Sequence, residues 1–472
     1  MREHTLVIQD PLRNGLRQYK EMTSGNIGNF LSDLYGLVPG EFGLEQPNDF
    51  DNFAPELSRS FPFPMVFHGT EGEIVVGQDY IRIGTILPVY DMEDNEVSFT
   101  FTDVPHHVDL GRSWVITDGN IVLFRQNPEG SLGPIRCLSD PKVSSACYHM
   151  GRVLIGGSSN VNNMWAEDSK RLVFWSTIGG GDAFEPFLGE LSPGGEGFSF
   201  EAFRVLDQNL AGWCNPGVGE VLRLFPLNRN VIVFGTEGIA VLTYHREGPG
   251  AYGQAKILDL GIMDRNAVSG GPSIVFFIDF RGDLWRLTSE MELQKLGYKE
   301  FLSSLSSIVL TYVEGFRELY LTDGDTSYVL NPNGLARIGL VISSVLPKSK
   351  KYYATKFQEH DENFSLTIGG LDFARAYDRQ VTILPGYKKL TYIHVGGEGL
   401  SQVYVSTTTI EQDGTLFPGQ SKPCNDNMVV FCGTSGRQFK ILFEGKKTLS
   451  QTNINAVTVR YQNADGSSYR SL

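Results

Sequence analysis

Short apolar runs broken by a glycine turn recur along the middle of this chain at a spacing in the low forties, and this period constrains the fold more than any other feature. Residues 113–125 read SWVITDGNIVLFR, 231–244 read VIVFGTEGIAVLTY, 274–287 read IVFFIDFRGDLWRL and 317–330 read RELYLTDGDTSYVL. Each is two strand-length runs around a Gly-containing turn, which suits a hairpin because glycine takes positive φ without a Cβ clash. From Gly238 to Gly282 is 44 residues, from Gly282 to Gly324 is 42, and Gly72 in EGEIVVGQDYIRI lies 47 before Gly119. The pair GRVLIGG (151–157) and RLVFWS (171–176) supplies another unit, with an insertion between its halves. One four-stranded propeller blade takes about 40–50 residues. Gly72 to Gly324 spans 252 residues, so about six blades are expected within residues 61–345. Hairpins stacked as sandwiches would share the local pattern. Circular closure favours the propeller, because it leaves only short sheet edges exposed.

The flanks have other textures. Residues 1–60 are rich in Asn, Gly, Pro and acids, and read as an extended arm or strap with one short helix around 26–36. Its aromatics need a surface, on a neighbouring subunit or on this chain. Residues 346–472 contain FSLTIGG, LTYIHVGG, SQVYVSTTTI, RQFKILFEG and NAVTVRYQ, many with polar and apolar positions alternating. That pattern predicts a C-terminal antiparallel β-sandwich of seven or eight strands. The fold class expected is therefore all-β, a propeller of about six blades followed by a sandwich domain.

Charge follows the same division. Residues 350–472 hold 14 Lys+Arg and 11 Asp+Glu, hence +3; the other 349 residues hold 26 and 43, hence −17. A domain so acidic is a poor partner for nucleic acid by phosphate neutralisation. The five cysteines are scattered without a CxxC, and an odd count argues against a full disulfide framework, so buried thiols are expected. No apolar run approaches the roughly 20 residues of a bilayer span. The segment MREHTLVIQDPLRNG carries charges where an export signal has an apolar centre.

No motif brings catalytic or cofactor chemistry. GPGAYGQAK (248–256) lacks the Gly-Lys-Ser/Thr end of a phosphate loop. DMEDNE has acids at alternate positions, but Glu96 stands where a calcium loop needs glycine and Thr102 where it needs a bidentate Glu. His106 and His107 are adjacent, so on a strand they face opposite ways and cannot share a metal. Neither the GxSxG elbow nor the sialidase Asp-box occurs. Trp114, Trp175 and Trp285 fall within expected strands and read as packing; Trp165, in the 158–170 insertion, is the better exposed candidate.

The segments 231–244, 261–287 and 308–331, the order GRVLIGG then RLVFWSTIGGGDAF (151–184), and the ending SQVYVSTTTIEQDG with QFKILFEGKKTLSQTNINAVTVRYQ together resemble the tail hub or nozzle proteins of short-tailed bacteriophages. The likeness runs over most of residues 61–472, in texture and order rather than in any diagnostic residue. It implies a non-enzymatic structural protein of the virion tail, assembled in the host cytoplasm without cofactor. It also implies a homohexameric ring below the portal and its adaptor, with tail fibres, spikes or a needle attached. Double-stranded DNA would pass through the channel in transient, non-specific contact, and acidic walls would let it slide. The loops 178–197 and 246–254 would be gate or interface loops, with Gly180, Asp182, Gly194, Gly195, Glu247 and Tyr252 as candidates, unless they are merely structural connections. The competing readings are a glycan-binding or glycan-cleaving propeller and a monomeric scaffold that binds protein loops.

Overall fold

The computed structural model describes residues 3–8, 12–13, 15–16, 30–69, 71–91, 93–109, 114–125, 133–138, 142–158, 169–175, 212–245, 251–348, 351–372, 388–410, 415–436, 438–448 and 452–463. Each hairpin quoted above becomes the middle of a four-stranded antiparallel sheet. Blade one comprises Met65–Gly69, Gly72–Val76, Ile81–Ile83 and Thr85–Leu87. Blade two comprises His106–Asp109, Trp114–Thr117, Val122–Arg125 and Ile135–Leu138, with Val89–Tyr90 added in parallel on its outer edge. Blade three comprises Val143–His149, Arg152–Ser158, Val173–Trp175 and Gly212–Cys214. Blade four comprises Val221–Leu227, Asn230–Gly235, Ile239–Tyr244 and Tyr252–Leu258. Blade five comprises Val268–Gly271, Ile274–Ile278, Leu284–Thr288 and Leu293–Gly297. Blade six comprises Val309–Val313, Glu318–Thr322, Ser327–Leu330 and Leu335–Ile338. The chain is an all-β protein with a six-bladed propeller.

The second and third strands of each blade are the most apolar, because both of their faces are covered by neighbouring blades. Val231, Ile232, Val233 and Phe234 are all fully buried. Alternate residues serve two interfaces: Val231 and Val233 join the core shared with blade three, while Ile232 and Phe234 join that shared with blade five. The turns of these hairpins are held by acids. Asp118 accepts backbone N–H bonds from Asn120 and Ile121, Asp279 from Arg281 and Asp283, and Asp323 from Asp325 and Thr326. Gly119, Gly282 and Gly324 sit at φ +92, +85 and +101, where a side chain would be strained. In blade one the equivalent turn is at Gly77, 42 residues before Gly119, rather than at Gly72, which turns the first strand into the second.

The first strands line the ring's inside and are stitched by short hydroxyls. Ser145 accepts from the backbone N–H of Leu224, Ser269 from Tyr312, and Ser344 from Val66. The last of these belongs to a closing hairpin, Val341–Lys348 with Lys351–Gln358, edged by Asp51–Asn52. Its first strand packs between the inner strands of blades six and one. It runs across the change in charge near 348–356.

Beyond it, two sheets pack face to face as the C-terminal β-sandwich. One is built on Lys388–Glu398 and Asn453–Asn463, the other on Asn363–Asp372, Gln438–Lys447 and Leu400–Ile410. Ile393, Val457 and Val459 from the first meet Phe439, Ile441 and Phe443 from the second in one core. The described parts of residues 1–60 bind this same chain. Glu3–Ile8 pairs with Asn453–Asn463, and Phe30–Tyr35 lies between Asn363–Asp372 and the outer strand of blade six. Blade six and one face of the sandwich thus form one continuous sheet.

The short helix expected around 26–36 is instead this strand over Phe30–Tyr35. Leu31 and Leu34 are both fully buried. Their three-residue spacing suits a helix face, but here a bulge between Leu31 and Asp33 turns both inward.

Candidate functional site

Five of the six candidate gate residues, Gly180, Asp182, Gly194, Gly195 and Glu247, lie outside the described residues, as does Trp165. The sixth, Tyr252, is no loop tip: it opens the fourth strand of blade four and is buried. Its ring meets Trp175 edge-on at 5.2 Å. Its hydroxyl lies 3.1 Å from His149 Nδ1. His149 Nε2 faces the Asn228 carbonyl at 3.1 Å and must donate to it, so Nδ1 accepts from the tyrosine. Burial holds this imidazole below its ordinary pKa, with the Asn228 bond opposing. Gly248, Pro249, Gly250 and Gly253 around Tyr252 read as a loop, but the strand begins at Tyr252 itself.

The other singled-out residues are absorbed by packing or by turns. Trp114 and Trp175 are buried, and Trp285 donates its indole N–H to Asp279 at 2.9 Å. Trp213, on the outer strand of blade three, is the exposed tryptophan among the described residues. Asp91 spends its carboxylate on the backbone N–H groups of Glu93 and Asn95. His106 and His107 do face opposite ways. His106 Nε2 meets Asn266 Oδ1 at 3.0 Å, while His107 stacks on Phe67 at 5.3 Å. The described cysteines are free; burial raises the Cys147 thiol to about 12 and Cys137 to about 11, so neither is a ready nucleophile.

Four large apolar side chains of the C-terminal sandwich, Tyr404, Leu416, Phe417 and Phe431, are exposed. The short strand Leu416–Pro418 pairs with the end of Leu400–Ile410 and forms an outer edge of its sheet. Leu416 is 59% exposed and Phe417 55%. Further along the same strand, Tyr404 pairs with Pro423, and Lys422 donates Nζ to the carbonyls of Phe431 and Cys432. Phe431 is 68% exposed, and its ring contacts Tyr392, over which the Arg460 guanidinium sits. Sheet edges are normally blunted by charge or covered, since unpaired backbone beside apolar side chains recruits another chain. No sequence signal singled out these side chains, because TLFPG reads as an ordinary turn.

A cleft of about 720 Å³ opens between Phe42–Asp49 and the segment Thr452–Asn455. Its floor is tied to the propeller: Asn48 Nδ2 donates to Glu318 Oε1 at 2.9 Å, and Tyr320 donates to Glu318 Oε2 at 2.6 Å. Desolvation raises the Glu318 pKa against these two bonds.

Comparison with known proteins identifies no family. No family profile matches the sequence, and no curated protein matches it. Among solved structures, the Neurospora crassa Pan2 WD40 domain superposes with a TM-score of 0.34 at 9% identity, covering 64% of this chain and 85% of that one. KlHsv2 with loop 6CD replaced by a Gly-Ser linker superposes with a TM-score of 0.32 at 9% identity, covering 70% and 98%. The propeller assignment rests on the strand order of the six blades and not on these scores.

Proposed function

We propose that this protein is a structural subunit of the tail nozzle of a short-tailed bacteriophage, which self-associates as a ring below the portal adaptor and conducts DNA during ejection. The observation that carries the reading is the exposure of four large apolar side chains on the sandwich, Tyr404, Leu416 and Phe417 on one sheet and Phe431 on the other. Covering such side chains with another subunit favours assembly by roughly 1.5–3 kcal/mol for each one fully buried. The occupant fits a second copy of this chain by charge: residues 350–472 are +3 and the remainder −17, so sandwich against propeller attracts. The sheet shared by blade six and the sandwich supports the reading too, because it would pass load between the two parts without a hinge. An electronegative ring would repel phosphate and let the genome slide.

Native mass spectrometry of the purified full chain, alone and with an adaptor ring, tests this. A closed oligomer, expected as a hexamer, supports it. A monomer at every concentration and with every adaptor tried would sink it, as would hydrolysis of a host polysaccharide.

A further inference from the structure

Two arginines lie at the heart of the propeller with donors that no described residue satisfies. Arg223 sits on the inner strand of blade four, next to a bulge between Val221 and Arg223. Its Nε and Nη1 are closed off from solvent and make no hydrogen bond, although the residue keeps some exposure elsewhere. Arg265 stands just before the inner strand of blade five and is 8% exposed. Its Nη2 donates to the carbonyls of Val104 and Thr117 at 3.3 and 3.0 Å, which fixes the side chain against blade two. Its Nη1 packs on Gly119, where a Cβ would come within 2.3 Å of it. Nη1 and Nε have no hydrogen-bond partner; Asp103 Oδ2 is 3.8 Å from Nε, beyond bonding reach.

The charges in this region do not balance. Arg265 has Asp103, Asp118 and Asp264 near enough to support its charge. Among the described residues the charged groups acting on Arg223 are Arg265, which opposes it, and Cys147, whose thiol burial keeps neutral. His106 lies beside both and adds no further positive charge, since burial and the two guanidinium groups hold it neutral. Asn266 Nδ2 donates to Asp103 Oδ1 at 2.8 Å, so its Oδ1 is left to accept from His106 Nε2. The aspartate is thereby occupied by Asn266, the Val104 N–H and the Arg265 guanidinium. A buried cation without an anion costs several kcal/mol, and buried N–H donors are almost always satisfied. Arg223 is such a cation among the described residues, and Arg265 beside it, though supported by Asp103, keeps two unmet donors, so the pair is suited to an anion from solution.

We propose that Arg223 and Arg265 together bind a single small oxyanion of the phosphate or sulfate class at the centre of the propeller. The anion completes the unsatisfied donors of both guanidinium groups and ties blade four to blades two and five. Guanidinium groups suit such ligands, being weakly hydrated and rich in fixed donors. The proposal is independent of assembly and of any role in DNA passage.

The test is a titration of inorganic phosphate, and separately of sulfate, into the full chain dialysed against chloride at matched ionic strength. Thermal unfolding and calorimetry are the readouts. The expected result is a saturable rise in Tm with one site per chain. Arg223→Met should abolish the saturable part while melting, without phosphate, no lower than the parent, because it removes an unpaired buried charge. Lys389→Met, at an exposed position, should leave the titration unchanged. Preference between the two arms identifies which oxyanion fits. The proposal is overturned if neither anion raises Tm beyond chloride, or if Arg223→Met responds as the parent does. It also fails if Arg223→Met is strongly destabilised in chloride alone, since that would mean the chain itself satisfies Arg223.

Discussion

Acidification should destabilise this protein through His107, and the size of the effect follows from its surroundings. The ring stacks on Phe67 with centroids 5.3 Å apart and lies 6.5 Å from Trp114, and its Nε2 is buried without a partner. Desolvation dominates and lowers its pKa to about 4; Asp109 opposes the shift and His68 assists it. In the unfolded chain the imidazole binds its proton near pH 6.5. Between pH 6.5 and about 4 the unfolded state therefore holds one more proton than the folded state. The stability that this neutral histidine contributes is complete above pH 6.5 and is lost as pH falls to about 4, after which the loss levels off. A gap of about 2.5 units at ~1.4 kcal/mol each gives a total of about 3 kcal/mol. Urea unfolding from pH 7.5 to 4 on the parent and on His107→Phe measures this directly, since phenylalanine keeps the stack and cannot titrate. His106 and His149 are also depressed, so the variant will still lose stability on acidification, but by about 3 kcal/mol less. Parallel curves for the two proteins would refute the argument. So would an NMR titration in which His107 protonates near pH 6.5 in the folded state.

Phe417→Asp combined with Phe431→Asp should leave the Tm of the isolated subunit within about 2 °C, since both side chains are exposed, yet shift sedimentation toward the monomer. Unchanged assembly would remove these side chains from the interface. Arg125 and Glu71 form an ion pair at 2.6 Å with both side chains under a tenth exposed, and burial still leaves Glu71 with a raised pKa. Arg125→Met should therefore cost about 3–5 kcal/mol by stranding the carboxylate, and adding Glu71→Gln should recover part of that loss in chemical denaturation. If the double variant is no better than the single one, the cost comes from the bond that Arg125 Nε donates to Gly133 and not from the charge.

What could be read from the sequence was what is local. The hairpins around Gly119, Gly282 and Gly324 were legible because an acid, a glycine at positive φ and two apolar runs are each specified within about a dozen residues. Gly238 shows the limit: its φ is not positive, and it is glycine because a Cβ would meet Lys256 Cε at 2.5 Å and the Leu258 carbonyl at 2.9 Å on the next strand. The strand at Phe30–Tyr35 failed for a related reason, since its partners lie some 300 residues away at Arg337 and Ser365–Gly369. No periodicity near residue 30 encodes them. The acids carry a further lesson. Read as composition, the 54 acidic residues suggested a repulsive wall. Three of them, Asp118, Asp279 and Asp323, are the screws of individual hairpins, two almost wholly buried. Conversely, Arg223 and Arg265 looked like unremarkable members of a minority charge. Their significance comes only from the assembled ring, which brings residues 42 apart into one buried neighbourhood and leaves donors of both without a described partner. In a repeat fold the sequence of one blade determines that blade, whereas the chemistry of the centre is written jointly by all of them.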